Sequence, residues 1–222
     1  MKRPHVLLML LLLAGPLCAL AEDEGVPLPI ELPQPSFGGT PLDYWSEHLE
    51  PPNYRLRKPF LAPEGTANLA PEAEVTASAE PLNGKLEAVT DGQKGFEEAY
   101  IVELPAGPQW VQLDLGAPAK VHAVVVWHFH AADRVYFDLV VQLSDDPEFK
   151  KDRTALFNND YDNTLKQDAG EDPEYIENFQ GRLIPGKGTA ARFVRLWSNG
   201  NTSDDKNHYI EVEVWAEPAG AE

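Results

Sequence analysis

One cysteine and two methionines are all the sulfur in this 222-residue chain, and Cys18 lies within its first twenty residues. Removal of that stretch would leave no thiol, which excludes cysteine nucleophiles, thiolate metal sites and disulfides downstream of it. Positive charge is also scarce. Lys and Arg number 18 against 36 Asp and Glu, a formal net charge of −18, so attraction to nucleic acid or to an anionic membrane by charge alone is excluded. Also missing are a Gly-x-Ser-x-Gly elbow, a His-Glu-x-x-His helix and a phosphate-cradling glycine loop, and with them the common signatures of hydrolases, zinc peptidases and nucleotide enzymes. No internal repeat and no long amphipathic helix is present. Without staples, a domain made from this chain must rest on packing and on any cation it binds.

What is present begins with a leader. Lys2 and Arg3 precede an apolar run from Val6 to Leu13, and Ala19-Leu20-Ala21 supplies a small-x-small cleavage site. Together these predict a secretory signal peptide over residues 1–21, a mature chain from Glu22, and a secreted, periplasmic or cell-surface protein with no transmembrane segment. Gly15-Pro16 interrupts the apolar run and leaves it too short for a membrane span.

Residues 22–67 carry prolines at 27, 29, 33, 35, 41, 51, 52, 59 and 63. Such density removes backbone donors and blocks helix, so an extended arm or linker is expected. Phe37, Leu42-Asp43-Tyr44-Trp45 and Pro59-Phe60-Leu61 interrupt it. A free spacer has no need of Tyr or Trp, and part of the arm is expected to lie across the domain that follows.

From Asn68 onward apolar and polar residues alternate in short runs: Glu74–Ser78, Tyr100–Leu104, Trp110–Leu115, Val121–His130, Val135–Ser144, Ala191–Ser198 and Tyr209–Trp215. Alternation of this kind marks half-buried strands, and the block 68–216 reads as an antiparallel β-sandwich with a short tail over 217–222. Val121–His130, the most hydrophobic run, is expected to be central and to form a hairpin with Val135–Ser144 through Ala131-Ala132-Asp133-Arg134. Residues 145–190 are polar and read as long loops, with Gly186-Lys187-Gly188 as a turn; such loops on a rigid scaffold are where binding residues concentrate.

Several stretches, in order, resemble the discoidin family, the coagulation-factor type C domains of the galactose-binding-like superfamily. They are Asn68-Leu69-Ala70, Ala88-Val89-Thr90-Asp91-Gly92, Trp110-Val111-Gln112-Leu113-Asp114-Leu115-Gly116, Phe193-Val194-Arg195-Leu196 and Ile210-Glu211-Val212-Glu213-Val214. The resemblance implies a jelly-roll sandwich with binding loops at one end. Animal members tie their ends with a disulfide; its absence makes this chain similar to the bacterial carbohydrate-binding-module branch. That branch often holds sugar hydroxyls with an Arg at the end of the central strand and an Asn in the next hairpin, where this chain has His128-Phe129-His130 and Asp133-Arg134. Members of the branch also often bind structural Ca2+ between the Asp-Gly loop and the first Glu of the closing strand, which correspond to Asp91 and Glu211.

The expected ligand contacts are therefore His128, His130 and Arg134; Asn158, Asn159, Asp160, Tyr161 and Asp162; and Asn201 and His208. His128 and His130, two apart on a strand, share a face and suit a ligand, a metal or a structural role. Asn158–Asn163 offers short oxygen ligands for a cation or for sugar hydroxyls, with Tyr161 able to stack on a pyranose. The function these residues point to is an exported, non-catalytic module that binds a glycan, with a structural Ca2+. Two alternatives stand beside it: an envelope interaction or adhesion module, and a periplasmic metal-binding protein using His128 and His130.

Overall fold

The computed structural model describes residues 25–35, 43–53, 55–218 and 220. The leader and Cys18, as well as Phe37 and Leu42 of the arm, lie outside the described residues. Among those residues, β-strands and short 3-10 turns are the only regular elements, and no helix is long and apolar enough to cross a membrane.

The strands are β1 (Val26–Pro27), β2 (Leu61–Ala62), β3 (Ala67–Asn68), β4 (Glu74–Ala77), β5 (Val102–Leu104), β6 (Gln109–Trp127), β7 (Val140–Ser144), β8 (Thr154–Asn158), β9 (Arg182–Ser198), β10 (Asn207–Tyr209) and β11 (Glu211–Glu217). Seven form one antiparallel sheet in the order β3-β11-β6-β9-β7-β8, with β4 also on β6. β6 and β9 run beside each other through two register shifts, between Asp114 and Ala119 and between Val121 and Ala123. The first half of β6 pairs with β4, the second half with β11. The long strands thus pass from one layer of the sandwich to the other. Val111, Leu113, Val124, Val126, Val141, Leu143, Val194, Leu196, Val212 and Val214 fill the space between the layers, all at most 1% exposed.

The all-β sandwich expected from the alternation is the fold observed, with differences in its strands, the first being that β8 and the start of β9 fall inside the stretch 145–190 expected as loops. Trp110–Leu115 and Val121–Trp127 belong to one strand, because the chain at Gly116-Ala117-Pro118 bulges without reversing. Gly186-Lys187-Gly188 likewise lies inside β9, with Lys187 and Gly188 at positive φ. The expected hairpin between Val121–His130 and Val135–Ser144 does not form: β7 pairs with β8 and β9, and β9 takes the place beside β6. The closing strand also runs through Glu217, one residue into the stretch read as tail.

Asn68 explains why the block opens as it does. Its carboxamide oxygen accepts from Val214 N at 3.0 Å and Ala70 N at 3.1 Å, so one side chain clamps the start of the block to the last strand.

The arm is docked where it is described. β1 and β2 form a ribbon, and Leu28, Ile30, Phe60 and Ala62 pack with Ala123, Val125, Trp127, Ile210 and Trp215 on the sheet face that points away from the main core. Trp127 is the centre of this second cluster, fully buried, its indole N–H donating to Phe179 O at 3.0 Å. Gly181 makes that position possible: it lies at φ 64°, and a Cβ there would stand 2.6 Å from the indole ring. The left-handed backbone and the clash act together, so Gly181→Ala is expected to lower unfolding stability by roughly 2–4 kcal/mol, read from urea unfolding midpoints.

Candidate functional site

The run Arg134–Leu139 threads between the other loops at one end of the sandwich and ties them together. Val135 N donates to Thr202 Oγ1 at 3.1 Å and Thr202 N to Val135 O at 3.0 Å; Phe137 N donates to Gly200 O at 3.1 Å, and Asn199 N to Phe137 O at 2.9 Å. On its other side Leu139 N donates to Asn159 Oδ1 at 2.6 Å, and Glu177 N donates to Arg134 O at 2.8 Å. The loops around residues 128–139, 158–177 and 199–208 are thereby brought to one place. The loop after Asp91 joins them, through Gly92 N on Glu211 and Lys94 O on His130 Nε2 at 3.0 Å.

Most of the polar side chains gathered here are engaged with the protein itself. His128 is fully buried, its Nδ1 2.6 Å from Glu177 Oε1 and its ring stacked on Tyr136 at 4.4 Å. His208 shares that tyrosine, with Nδ1 3.0 Å from Tyr136 Oη and Nε2 3.3 Å from Glu103. Burial pushes the His208 imidazole below its usual range and the Tyr136 phenol far above its own, which keeps both neutral near pH 7. His130 is 3% exposed and faces Phe96 and Lys94, whereas His128 faces Glu177 and Tyr136; β6 ends at Trp127, so neither histidine lies on the strand expected to carry both.

Arg134 pairs with Asp204 at 3.2 Å and lies over the Phe129 ring. Asn201 holds its own turn, accepting from Ser203 N and Asp204 N. Asn158 accepts from Asp160 N at 2.9 Å and donates to Asp168 O, while Asn159 clamps Leu139. Tyr161 donates to Asp172 O, and the arm covers its ring: His48 stacks on it at 3.6 Å. Nearby Tyr44 donates to both Glu174 carboxylate oxygens, at 2.9 and 3.0 Å.

Among the described residues, one group of three metal-ligating side chains has donor atoms within 4.8 Å of one another: Asp138, Asp160 and Asp162. Asp160 and Asp162 come from the loop expected to offer oxygen ligands; Asp138 is not among the residues expected there, although it is the one charged residue in Val135–Ser144. Asp160 accepts from Thr164 N and Leu165 N, each at 2.9 Å, and its acidity is weakened chiefly by burial. Asp138 is pushed up to about 6, first by burial and then, against the Asn199 amide that lowers it, by Asp160, Asp162 and Glu174. A divalent cation would relieve this repulsion.

At the other predicted metal position, Glu211 is fully buried. Its Oε2 accepts from Gly92 N at 3.0 Å, while Oε1 is buried with no hydrogen-bond partner. Burial first, then Glu213, push this carboxyl up to about 9, opposed by the Gly92 N–H and Lys94. Asp91 is exposed and accepts from Gln93 N at 2.8 Å. A buried carboxyl with one oxygen on an Asp-Gly turn and the other without a partner fits a Ca2+ ligand.

Beside that turn a cleft of about 420 Å3 separates the arm from the loop Gly92–Tyr100. Leu32 and Gln34 line one side, Gln93, Phe96, Glu97 and Tyr100 the other. Phe96 is 40% exposed and stands edge-on to His130, ring centres 6.1 Å apart. Gly95 shapes the floor, because a Cβ there would fall 2.2 Å from Glu97 Oε2 and 3.1 Å from the Tyr100 ring. None of these residues was expected from the sequence; the available signal was two aromatics, Phe96 and Tyr100, in a loop otherwise polar.

The β-sandwich has the fold of solved structures that include carbohydrate-binding modules. No family model and no curated protein matches the chain. Among solved structures it is similar to the family 32 carbohydrate-binding module of Clostridium perfringens NanJ in complex with galactose, at 11% identity and TM-score 0.50 over 68% of this chain and 98% of that one. It is also similar to part of a family 89 glycoside hydrolase from C. perfringens, in complex with its substrate GlcNAc-alpha-1,4-galactose, at 14% identity and TM-score 0.51. There the match takes in 69% of this chain and 15% of the hydrolase.

The raised Asp138 carboxyl gives a pH dependence of known sign. With its folded value at about 6 against an ordinary 3.8, the folded state binds more protons than the unfolded one between these values, so this group's contribution to stability falls as pH rises through that window. In EDTA, Asp138→Asn is expected to melt above the parent at pH 7 and level with it near pH 3.5, as measured by thermal scans across that range.

Proposed function

We propose that this protein is a non-catalytic carbohydrate-binding module that takes its sugar in the cleft between Glu31–Gln34 and Gly92–Tyr100. The observation that carries this reading is Phe96: a ring 40% exposed, held by His130, at the mouth of a cleft whose other walls offer amides and carboxylates. An aromatic face covers the apolar side of a pyranose, and hydrogen-bonding side chains around it select its hydroxyls. Solved structures of the same fold, one with galactose bound, support the class of ligand. The leader over residues 1–21 fits a protein acting outside the cytoplasm, secreted, periplasmic or on the cell surface.

Glycan-array screening followed by calorimetry tests this. The parent is expected to bind one sugar class with a dissociation constant near millimolar, about −4 kcal/mol, and Phe96→Ala is expected to weaken that binding about tenfold. Unchanged affinity in the Phe96 variant would remove the sugar from this cleft.

A structural Ca2+ held by Glu211 and Asp91 belongs to the same proposal. The ion would supply the charge that the buried Glu211 carboxylate lacks. Without it the folded state keeps a proton on Glu211, and stability declines as pH rises from the unfolded value of about 4.5 towards 9. At pH 8, Ca2+ is expected to raise the melting temperature of the parent, and Glu211→Gln to melt higher than the parent in EDTA while losing most of the response to Ca2+.

A second reading, contact with another envelope protein, is favoured by Trp45. It is 83% exposed, while its neighbours Tyr44 and His48 are fixed on Glu174 and Tyr161. A partner that co-purifies with the parent and is lost with Trp45→Ala supports this reading.

A further inference from the structure

We propose that the cleft selects sugars bearing a free ammonium group, the hexosamines, over their N-acetylated, neutral and anionic counterparts. This rests on the cleft being a sugar site and concerns what it discriminates.

The argument is one of charge placement. Lys94 is the one cation among the lining residues, and its ammonium is engaged by the protein itself. Its Nζ pairs with Glu213, donates to Glu31 O at 2.8 Å and lies 4.7 Å from the centre of the Trp127 ring, and its side chain is 9% exposed. Arg134, the cation of the neighbouring loop, is paired with Asp204 and lies over Phe129.

The carboxylates are placed the opposite way. Glu31 on the arm and Glu97 on the facing loop are both exposed, one on each side of the cleft. Glu97 is drawn in over Gly95, beside the Tyr100 ring. Asp91 and Glu98, exposed in the same loop, add to the negative potential, within a chain of net charge −18. A uronate or sialate would meet this field with no cation to pair with. An ammonium would meet carboxylates able to accept charge-assisted hydrogen bonds and aromatic faces able to attract it. Gln34 and Gln93 remain for the hydroxyls, which every hexose offers, so they confer affinity without this selectivity.

Calorimetry or saturation-transfer NMR on the full mature chain, at pH 6.5 and low salt, tests the proposal. The probes are glucosamine and galactosamine, their N-acetyl derivatives, glucose, galactose and glucuronic acid. At least one hexosamine is expected to bind tenfold or more tightly than its N-acetyl and neutral counterparts. Glucuronic acid is expected not to bind, and 0.5 M NaCl to shrink the preference. Glu97→Gln and Glu31→Gln should each cut the hexosamine to N-acetyl affinity ratio severalfold, with a melting temperature within a degree or two of the parent to show that the fold is kept. Equal affinity for amino and N-acetyl sugars, or binding of the uronate, would overturn the charge selection while leaving the sugar site standing. Absence of binding by every probe would overturn both.

Discussion

The pairing of β6 with β9 is the constraint on which the rest depends. Both strands are long enough to serve the two layers, and their shared bulges turn a single sheet back over itself. That turn creates two apolar faces on the second half of β6. The inner one is filled by the layers of the sandwich; the outer one, with Ala123, Val125 and Trp127, is left for another part of the chain. The proline-rich arm answers it, and its inability to form helix becomes an advantage, since extended backbone can lie flat over a sheet.

The same constraint fixes the loop end. Because β6 stops at Trp127 directly opposite Glu211, the residues that follow it, the Asp91-Gly92 turn and the start of the closing strand meet at one point. A buried carboxyl, a turn whose Gly92 N–H it accepts and a cleft are then consequences of where two strands end. The polar side chains around them divide by reach. Those close to the strand ends hold neighbouring loops, and those one loop further out face solvent.

That division explains what was legible beforehand. Strand alternation and the Asn68, Asp91-Gly92 and Glu211 stretches depend on local spacing, and so the sandwich and the gathering of its loops could be read from the chain. Gly116-Ala117-Pro118 and Gly186-Lys187-Gly188 misled because a bulge and a turn draw on the same residues; only the partner strand decides whether the chain reverses. The site was harder for a related reason. Whether His128 is free depends on Glu177, 49 positions away, and whether Asp160 has acidic company depends on Asp138. Partners so distant leave no mark in a short window, while Phe96 looked like any loop residue until the arm lay across from it.

One wall of the cleft comes from residues 31–34 and the other from residues 92–100, and this bears on inheritance. A gene fragment cut near Asn68 would carry the whole sandwich but only one wall of the cleft, and an uncovered Trp127. Arm and sandwich can therefore be shuffled between proteins only together, and the smallest unit that evolution or an engineer can move here is longer than the fold itself.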